Sequence, residues 1–434
     1  VLGVERVGAH DNFFDLGGDS ILSIQLVAKA RRAGFDLSSR DVFARQTVAA
    51  LAAVARPSGA EAATRVTAQQ STVTGPVATT PIREWFFAHH PAAPDHFAMS
   101  MAFELRAGTA LGHLRSAVAA VLAHHDALRT VFTAPGPDGP VTATILPDAD
   151  LDAVLETYDL SGAQDAEAME TAWRERAAAV PAGIALGGPL FRVLIGVAGD
   201  GQPLRAQFTA HHLVVDGVSW RVVLADLETA CRQLAAGQAV DLGPKTTSVA
   251  QWADRLAAHV AAGGFDAQAA YWRTALEGAT TELPVDTPGG SRTVGEERTL
   301  LGSLSAERTT ALLRRVPAVY RTRTDEVLLT ALARALRGWT GQDRVAVALE
   351  GHGREELFAD VDLTRTVGWF TSLYPFAPAL PAGEGWKESV TAVKEQLRAV
   401  PDRGIGHGAL RHLGAPGTAA DALRDLPEPQ ISFN

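Results

Sequence analysis

Apolar positions recur at helical spacing near the start of the chain and predict two short helices. The first helical stripe consists of Ile21, Ile24, Leu26, Val27 and Ala30. The second stripe consists of Val48, Leu51 and Val54, and Thr47 stands where it would cap that helix. Residues 1–55 are therefore predicted to form a small α-helical unit.

The pattern changes twice beyond this unit. Residues 56–75 lack apolar periodicity and are rich in Ala, Thr, Ser, Gln and Gly, which is typical of a linker. From residue 76 onward strands and helices alternate, which predicts a layered α/β architecture. The first such strand is marked by Phe97, Met99, Met101, Phe103 and Leu105, and the helix after it by Leu111, Leu114, Val118, Val121 and Leu122.

The same alternation returns further along the chain. It predicts a strand before His211, a helix after Asp216, a helix from Asp325 to Arg337 and a strand from Val345 to Glu350. The stretch Leu283 to Gly290, with its prolines and glycines, is the clearest interruption. We therefore expect two lobes, at residues 76–285 and 286–434.

Composition excludes several classes of partner. The chain has 434 residues, of which 47% are hydrophobic and 20% charged, so it can bury a large core over two or three domains. Its net charge of -10 and the lack of a basic block argue against binding nucleic acid or an anionic membrane. No apolar run reaches the roughly 18 residues that span a bilayer.

Cysteine usage and the two ends of the sequence indicate the cellular compartment and the neighbouring domains that we expect. Cys231 is the only cysteine, which excludes an internal disulfide framework and a thiolate metal cluster and is typical of a reducing cytosol. Since no signal segment opens the chain, we expect it to be cytoplasmic. The start at Val1 and the stop at Asn434, straight after a strand-like run, predict that neighbouring domains have been cut away.

Ser20 stands at the start of the first predicted helix, behind Gly17 and Gly18. A phosphodiester on its hydroxyl would lie at the positive end of the helix dipole, near free amide donors. The alternative is that Ser20 is only an N-cap. The run from Asp11 to Ser20 resembles the attachment signature of peptidyl carrier proteins, which implies a 4'-phosphopantetheine arm on Ser20. In that family an Asp before the serine and an Ile after it are typical of carriers that work with epimerization domains, as in Asp19 and Ile21.

Two adjacent histidines follow the strand that ends near residue 210. His212 shares its parity with Leu204, Ala206, Phe208 and Ala210, whereas His211 does not. We therefore expect His212 to project inward and to act as a base, since a neutral imidazole titrates near physiological pH. Asp216 and Gly217 come where the strand turns into the next helix, so Asp216 is expected to fix that turn or to pair with a buried arginine.

The histidine pair admits other interpretations. A metal site is disfavoured, because adjacent histidines on a strand face opposite ways and no further ligand cluster is evident. Ordinary packing is a second alternative, since His89-His90 and His124-His125 are also pairs, although neither precedes an Asp-Gly turn. The run from His211 to Gly217 resembles the signature of condensation-type domains in nonribosomal peptide synthetases. That resemblance implies two lobes, each like chloramphenicol acetyltransferase, but leaves condensation and epimerization both open.

Further segments favour epimerization. Residues 81–87 and 325–331 resemble the opening and helical motifs of the family, and 350–355 and 365–375 resemble segments particular to epimerization domains. Residues 401–408 resemble its late glycine motif, with His407 where another aromatic residue is commoner. Phe433 and Asn434 would begin the last motif.

Glu350 is the second candidate catalytic residue, because inverting a stereocentre requires proton removal from one face and delivery to the other. It shares its parity with Ala346 and Ala348, so small side chains leave space beside it, and partial burial would raise the pKa of its carboxyl toward neutrality. The alternative is an ordinary surface glutamate at the end of a strand.

The resemblance implies that His212 and Glu350 exchange the α-proton of a carrier-bound aminoacyl or peptidyl thioester. A thioester acidifies its α-proton, so neither pyridoxal phosphate nor a metal is expected. An amide or Asn donor, with Asn434 as candidate, would hold the enolate oxygen. The alternatives are a condensation domain that uses His212 and an inactive scaffold that docks the carrier. The implied partners are an upstream adenylation domain, a phosphopantetheinyl transferase and a downstream condensation domain.

Overall fold

The computed structural model describes residues 1–57, 68–90, 92–133, 141–290, 293–383 and 385–434. By their contacts these residues group into two compact units. The first unit comprises Val1, Asp19–His259 and Glu356–Thr371, and the second comprises Leu2–Gly18, Val260–Glu355 and Ser372–Asn434. The predicted domain boundaries remain predictions.

The first unit begins with three helices, Ser20–Arg32, Ser39–Arg45 and Val48–Ala52. Ile24 and Val27 are buried, as their spacing predicted. Thr47 caps the third helix through a bond from the Ala50 amide at 3.2 Å, which confirms its predicted role. The middle helix was not predicted, although Ser38 and Asp41 form a capping box at its start.

A four-stranded sheet forms the centre of the first unit. Its order is Ala98–Glu104, Pro203–His211, Phe191–Val197 and Leu155–Asp159, with the first two pairings antiparallel and the last one parallel. A three-stranded antiparallel sheet joins Gly75–Val77, Thr142–Ile145 and Thr130–Thr133. Exposed and partly buried residues alternate along Ala98–Glu104, which confirms the predicted half-buried strand.

Helices of the first unit lie between these strands. They are Pro81–His89, Leu111–His124, Leu151–Val154, Ala166–Ala179, Gly217–Ala235 and Val249–Ala261. The last two residues of the helix Val249–Ala261 belong to the second unit. The predicted stripe of the second of these helices is confirmed, because Leu114, Val118, Val121 and Leu122 are buried. The helix predicted after Asp216 begins at Gly217.

The second unit is built on one three-stranded sheet. Val347–Gly351 is its middle strand, antiparallel to Ser372–Phe376 and parallel to Ser432–Phe433. The helices are Gln268–Leu276, Ala306–Thr310, Val316–Tyr320, Thr324–Thr340, Trp386–Arg398, Ile405–Leu413 and Asp421–Arg424. The predicted helix at Asp325 is thus confirmed. The predicted strand begins two residues late, because Val345 forms only an isolated bridge with Thr280.

No described helix combines the length and the apolar character that crossing a membrane requires.

Candidate active site

His211 is the last residue of its strand and is completely buried. Its Nε2 lies 2.7 Å from the Pro94 carbonyl, so it must donate there, while its Nδ1 accepts a bond from the Leu213 amide at 3.1 Å. Both ring nitrogens are therefore engaged by backbone, which fixes one neutral tautomer. Burial lowers the pKa of the imidazole, in keeping with a structural role.

His212 lies just beyond the strand, in a short 3₁₀ turn that spans His212–Val214. His212 was predicted to project inward because it shares the parity of the strand residues before it. That reasoning was wrong, because side chains stop alternating where the strand ends. The His212 ring is half-buried and contacts two aromatic rings, which also contact each other. Its centroid is 4.3 Å from that of Trp369 and 5.4 Å from that of Phe97.

Asp216 fixes the start of the helix that follows, which confirms the first of its two predicted roles. It is the N-cap residue and accepts a bond from the Ser219 amide at 2.7 Å. Its other carboxylate oxygen accepts from the Phe370 amide at 3.2 Å. Gly217, the first residue of the helix, is exposed. Asp216 thus joins the histidine turn to the segment that carries Trp369.

Ser219 makes a second connection to the same segment. Its Oγ donates to the Gly368 carbonyl at 2.8 Å, and the Gly368 amide lies 3.0 Å from that hydroxyl. A Cβ on Gly368 would meet the Phe370 ring at 2.9 Å, which explains the glycine. Trp369, between these two anchored residues, is held against His212.

Glu350 lies in the second unit, near the end of Val347–Gly351. Its side chain is exposed, so the expected partial burial was wrong. The strand pairing puts Ser432 and Asn434 beside it, and both donate to its carboxylate. Ser432 Oγ lies 3.3 Å from Oε1, and Asn434 Nδ2 lies 3.2 Å from Oε2. Asn434 therefore holds Glu350 in this structure, whereas its predicted contact with an enolate oxygen stays a prediction.

The residues after Glu350 require glycine for two different reasons. A Cβ on Gly351 would meet Ser372 Oγ at 2.6 Å, across the strand pairing. Gly353 has a φ of 64°, in the left-handed region that suits glycine. Between them His352 accepts a bond from the Arg354 amide at 3.0 Å. The two glycines thus allow the close strand pairing at residue 351 and the left-handed backbone at residue 353 that follow the glutamate.

Ser20 is the first residue of its helix and not its N-cap, because Asp19 takes that position and accepts from the Leu22 amide at 2.7 Å. The Ser20 residue is only half-buried. Gly17 has a φ of 94°, and a Cβ on Gly18 would collide with the Phe13 ring at 2.4 Å. These features fit a serine that carries a phosphodiester at a helix start.

One group in the described part of the chain has metal-ligand spacing. It consists of His124, His125 and Asp226, whose ligand atoms lie within 4.8 Å of one another. Both Asp226 oxygens are already bonded, one to His125 Nε2 at 2.9 Å and one to the Arg365 guanidinium. The group is therefore satisfied as an internal charge network.

Two contacts at the site were not predicted from sequence. Trp369 falls within a motif of the family, but the motif does not indicate that its ring lies against His212. Ser432 carries no motif of its own, although strand pairing brings its hydroxyl to Glu350. A period-two pattern through Ile431 and Phe433 was the one available signal for that pairing.

Comparisons with known proteins identify two regions. Residues 75–434 match the family model described as condensation domain, and residues 1–55 match the one described as phosphopantetheine attachment site. The chain is 41% identical over 437 residues to a linear gramicidin synthase protein of Brevibacillus parabrevis, covering all of this chain and 6% of that protein. It is 41% identical over 447 residues to chondramide synthase cmdD of Chondromyces crocatus, again over its full length, and spans 11% of that protein.

Solved structures share the fold. The epimerization domain from the third module of tyrocidine synthetase B is 34% identical, with a TM-score of 0.75, over 85% of this chain and 80% of that one. The first condensation domain of the calcium-dependent antibiotic synthetase is 22% identical, with a TM-score of 0.58, over 83% and 80%. The second likeness concerns the fold alone.

Proposed function

The chain belongs to the condensation-domain family and carries a phosphopantetheine attachment domain before it, and from this premise we propose that it epimerizes a carrier-bound aminoacyl or peptidyl thioester. The family indicates a covalent 4'-phosphopantetheine and a chemistry that needs neither pyridoxal phosphate nor a metal. We place the attachment at Ser20. The arm supplies a thioester, which makes the substrate α-proton more acidic.

The observation that carries the proposal is Glu350. Condensation assisted by His212 has no use for a second acid–base group, whereas inversion by proton removal from one face and delivery to the other uses one. The Glu350 carboxylate is exposed at the end of a strand and is held by two side-chain donors. The likeness to the tyrocidine epimerization domain supports the same function, since it exceeds that to the condensation domain in both identity and TM-score.

The proposed reaction is a proton exchange at the α-carbon. One of His212 and Glu350 takes the proton, and the electrons of the broken C–H bond pass into an enolate. The other group then delivers a proton to the opposite face, and the C–H bond re-forms with inverted configuration. Repeated turnover gives a mixture of L and D forms.

The aromatic rings beside His212 support its part in this exchange. Phe97 and Trp369 restrict the rotamers of the imidazole, and Asp216 fixes the turn on which it stands. His211 is unsuited to the same task, because both its nitrogens are bonded to backbone. Positioned groups of this kind typically contribute about 10²–10⁴-fold to a proton transfer.

The test uses the full chain with a chosen L-aminoacyl group loaded on Ser20. In heavy water near neutral pH, the substrate should gain one deuteron at its α-carbon and approach an L/D mixture. If an added acceptor thioester is instead joined by an amide bond, with the α-hydrogen retained, the domain is a condensation domain. Full retention without amide formation would indicate a docking scaffold and contradict the proposal.

The chain spans 6–17% of the length of the curated relatives it matches. We propose that its substrate is loaded by an upstream adenylation domain after a phosphopantetheinyl transferase has modified Ser20. The D product would pass to a downstream condensation domain.

A further inference from the structure

The helix that begins at Ser20 ends in a basic turn that contacts acidic residues far along the chain. Its last turn contains Lys29, Arg31 and Arg32. Arg31 Nη1 lies 3.0 Å from Asp362 Oδ2, and its Nη2 lies 3.7 Å from Glu356 Oε1. All these residues belong to the first unit, so the contact joins the carrier helix to the segment Glu356–Thr371.

Asp362 is held rigidly in this contact. Its Oδ1 accepts a bond from the Thr364 amide at 2.9 Å, which leaves Oδ2 to face the guanidinium. Its backbone amide donates to Thr247 Oγ1 at 2.9 Å, and its carbonyl accepts from the Thr247 amide at 3.0 Å. The side chain is only 12% exposed. A carboxylate fixed in this way loses little conformational entropy on binding a cation.

The carrier side is fixed as well. Arg31 Nε donates to the Leu37 carbonyl at 3.2 Å, which orients the guanidinium away from its own helix. Ser39, at the start of the next carrier helix, donates its amide to Glu356 Oε1 at 3.2 Å. Two neighbouring helices of the carrier thus contact one short acidic segment.

Arg32, the next residue along the chain, is influenced electrostatically by two charged residues of the segment 75–434. Its pKa is lowered chiefly by partial burial, then by the nearby charge of Arg365, and is raised by Asp226. The Arg32 guanidinium therefore lies within the field of the His125–Asp226–Arg365 network.

From these contacts we propose that residues 356–365 form the surface on which the carrier docks, and that Arg31 is the residue through which this surface recognises a carrier. The helix of 13 residues is about 20 Å long, so the anchor lies far from Ser20 and leaves the serine end accessible. Charge complementarity of this kind selects partners and speeds their encounter. The functional consequence rests on the proposed epimerization, whereas the docking itself does not.

The activity test compares two charge reversals on the full chain loaded at Ser20. Arg31→Glu should slow α-proton exchange roughly tenfold, an effect moderated by the tether between the two domains. Arg45→Glu is the matched control, because it makes the same charge change at an exposed carrier position at the far end of the helix Ser39–Arg45, and it should leave the rate unchanged. Both variants should match the parent on a free aminoacyl thioester of N-acetylcysteamine, which bypasses the carrier. Equal rates for the two loaded variants, or an equal loss on the free thioester, would overturn the proposal.

A second measurement is independent of catalysis. In Arg31→Lys a carbodiimide should link the new amine to Asp362 or Glu356, and mass spectrometry of the digest locates the link. Arg45→Lys should give no link to either residue, and high salt should lower the yield of the Arg31→Lys link. If the link forms while heavy water leaves no deuterium in the substrate, docking stands and epimerization fails. Without the link, docking fails whatever the activity.

Discussion

The two candidate proton-exchanging residues are held in opposite ways. The turn around His212 is tied by buried bonds: His211 to Pro94 and Leu213, and Asp216 to Ser219 and Phe370. Glu350, in contrast, is exposed, and its two bonds of 3.2 and 3.3 Å come from the polar side chains of Asn434 and Ser432.

The histidine turn and the glutamate should therefore respond differently to mutation. Buried bonds to backbone cost folding energy when removed, so the histidine turn is expected to be rigid and sensitive to mutation. The glutamate is held by weak bonds that water can replace, so its replacement should spare the fold and affect catalysis alone. Mutations in the two regions should therefore separate stability from activity.

The largest effect is expected at Glu350. Glu350→Gln keeps the shape and a carbonyl acceptor but removes the proton-exchanging group, so α-proton exchange should fall by at least about 100-fold. Thermal unfolding should be unchanged, because the side chain is exposed. Glu282→Gln, at another exposed position of the same unit, is the control and should keep full activity. A Glu350→Gln variant with normal exchange would remove Glu350 from the reaction.

The second effect concerns Asp216. Asp216→Ala leaves two amides, those of Ser219 and Phe370, without their buried acceptor, and we expect a loss of roughly 2–4 kcal/mol in the free energy of unfolding. Urea unfolding measures it. Asp165→Ala removes an exposed capping bond, that to the Ala168 amide, and should cost about 1 kcal/mol or less. Equal losses at the two positions would show that the histidine turn is not specially held.

The third prediction concerns pH and the buried His407. Burial lowers its pKa to about 3, whereas the unfolded chain binds a proton near the ordinary value of about 6.5. A depressed folded pKa gives stability that is present above pH 6.5 and is lost as the pH falls toward 3. Between pH 7 and pH 5 the unfolded chain binds a proton at this residue and the folded chain does not. The free energy of unfolding should therefore fall by about 2 kcal/mol.

His407→Phe tests this pH dependence by removing the titration while keeping an aromatic ring against Trp272, whose ring centroid lies 4.9 Å away. The variant should lose about 2 kcal/mol less than the parent between the two pH values. Identical losses would place the acid sensitivity elsewhere.

The smallest effects are expected from the residues that hold Glu350. Asn434→Ala removes one exposed hydrogen bond, worth about 1 kcal/mol, so exchange should slow by roughly threefold to tenfold. Ser432→Ala, whose bond is longer, should have a smaller effect. Rates from deuterium uptake check both. A loss as large as that of Glu350→Gln would instead assign Asn434 a direct part in the reaction.

The sequence predicted local features better than side-chain surroundings. Thr47 and Asp216 were predicted because capping depends on neighbours within three residues. The inward orientation of His212 was predicted from an alternation that ends at His211, and only the structure shows where the strand stops. The burial of Glu350 was misjudged because its exposure depends on distant strands. The Trp369 contact joins residues far apart in sequence, and no local pattern indicates it.

The central claim is that two groups exchange the α-proton from opposite faces, and early deuterium distribution tests it most directly. The parent chain, loaded with an L-aminoacyl group, is quenched in heavy water after a small fraction has inverted, and the L and D pools are separated. We predict that the D pool carries one deuteron while the remaining L pool retains its hydrogen. Deuterium appearing equally in both pools would indicate a single base and contradict the two-group claim, and failure of any D pool to form would contradict epimerization.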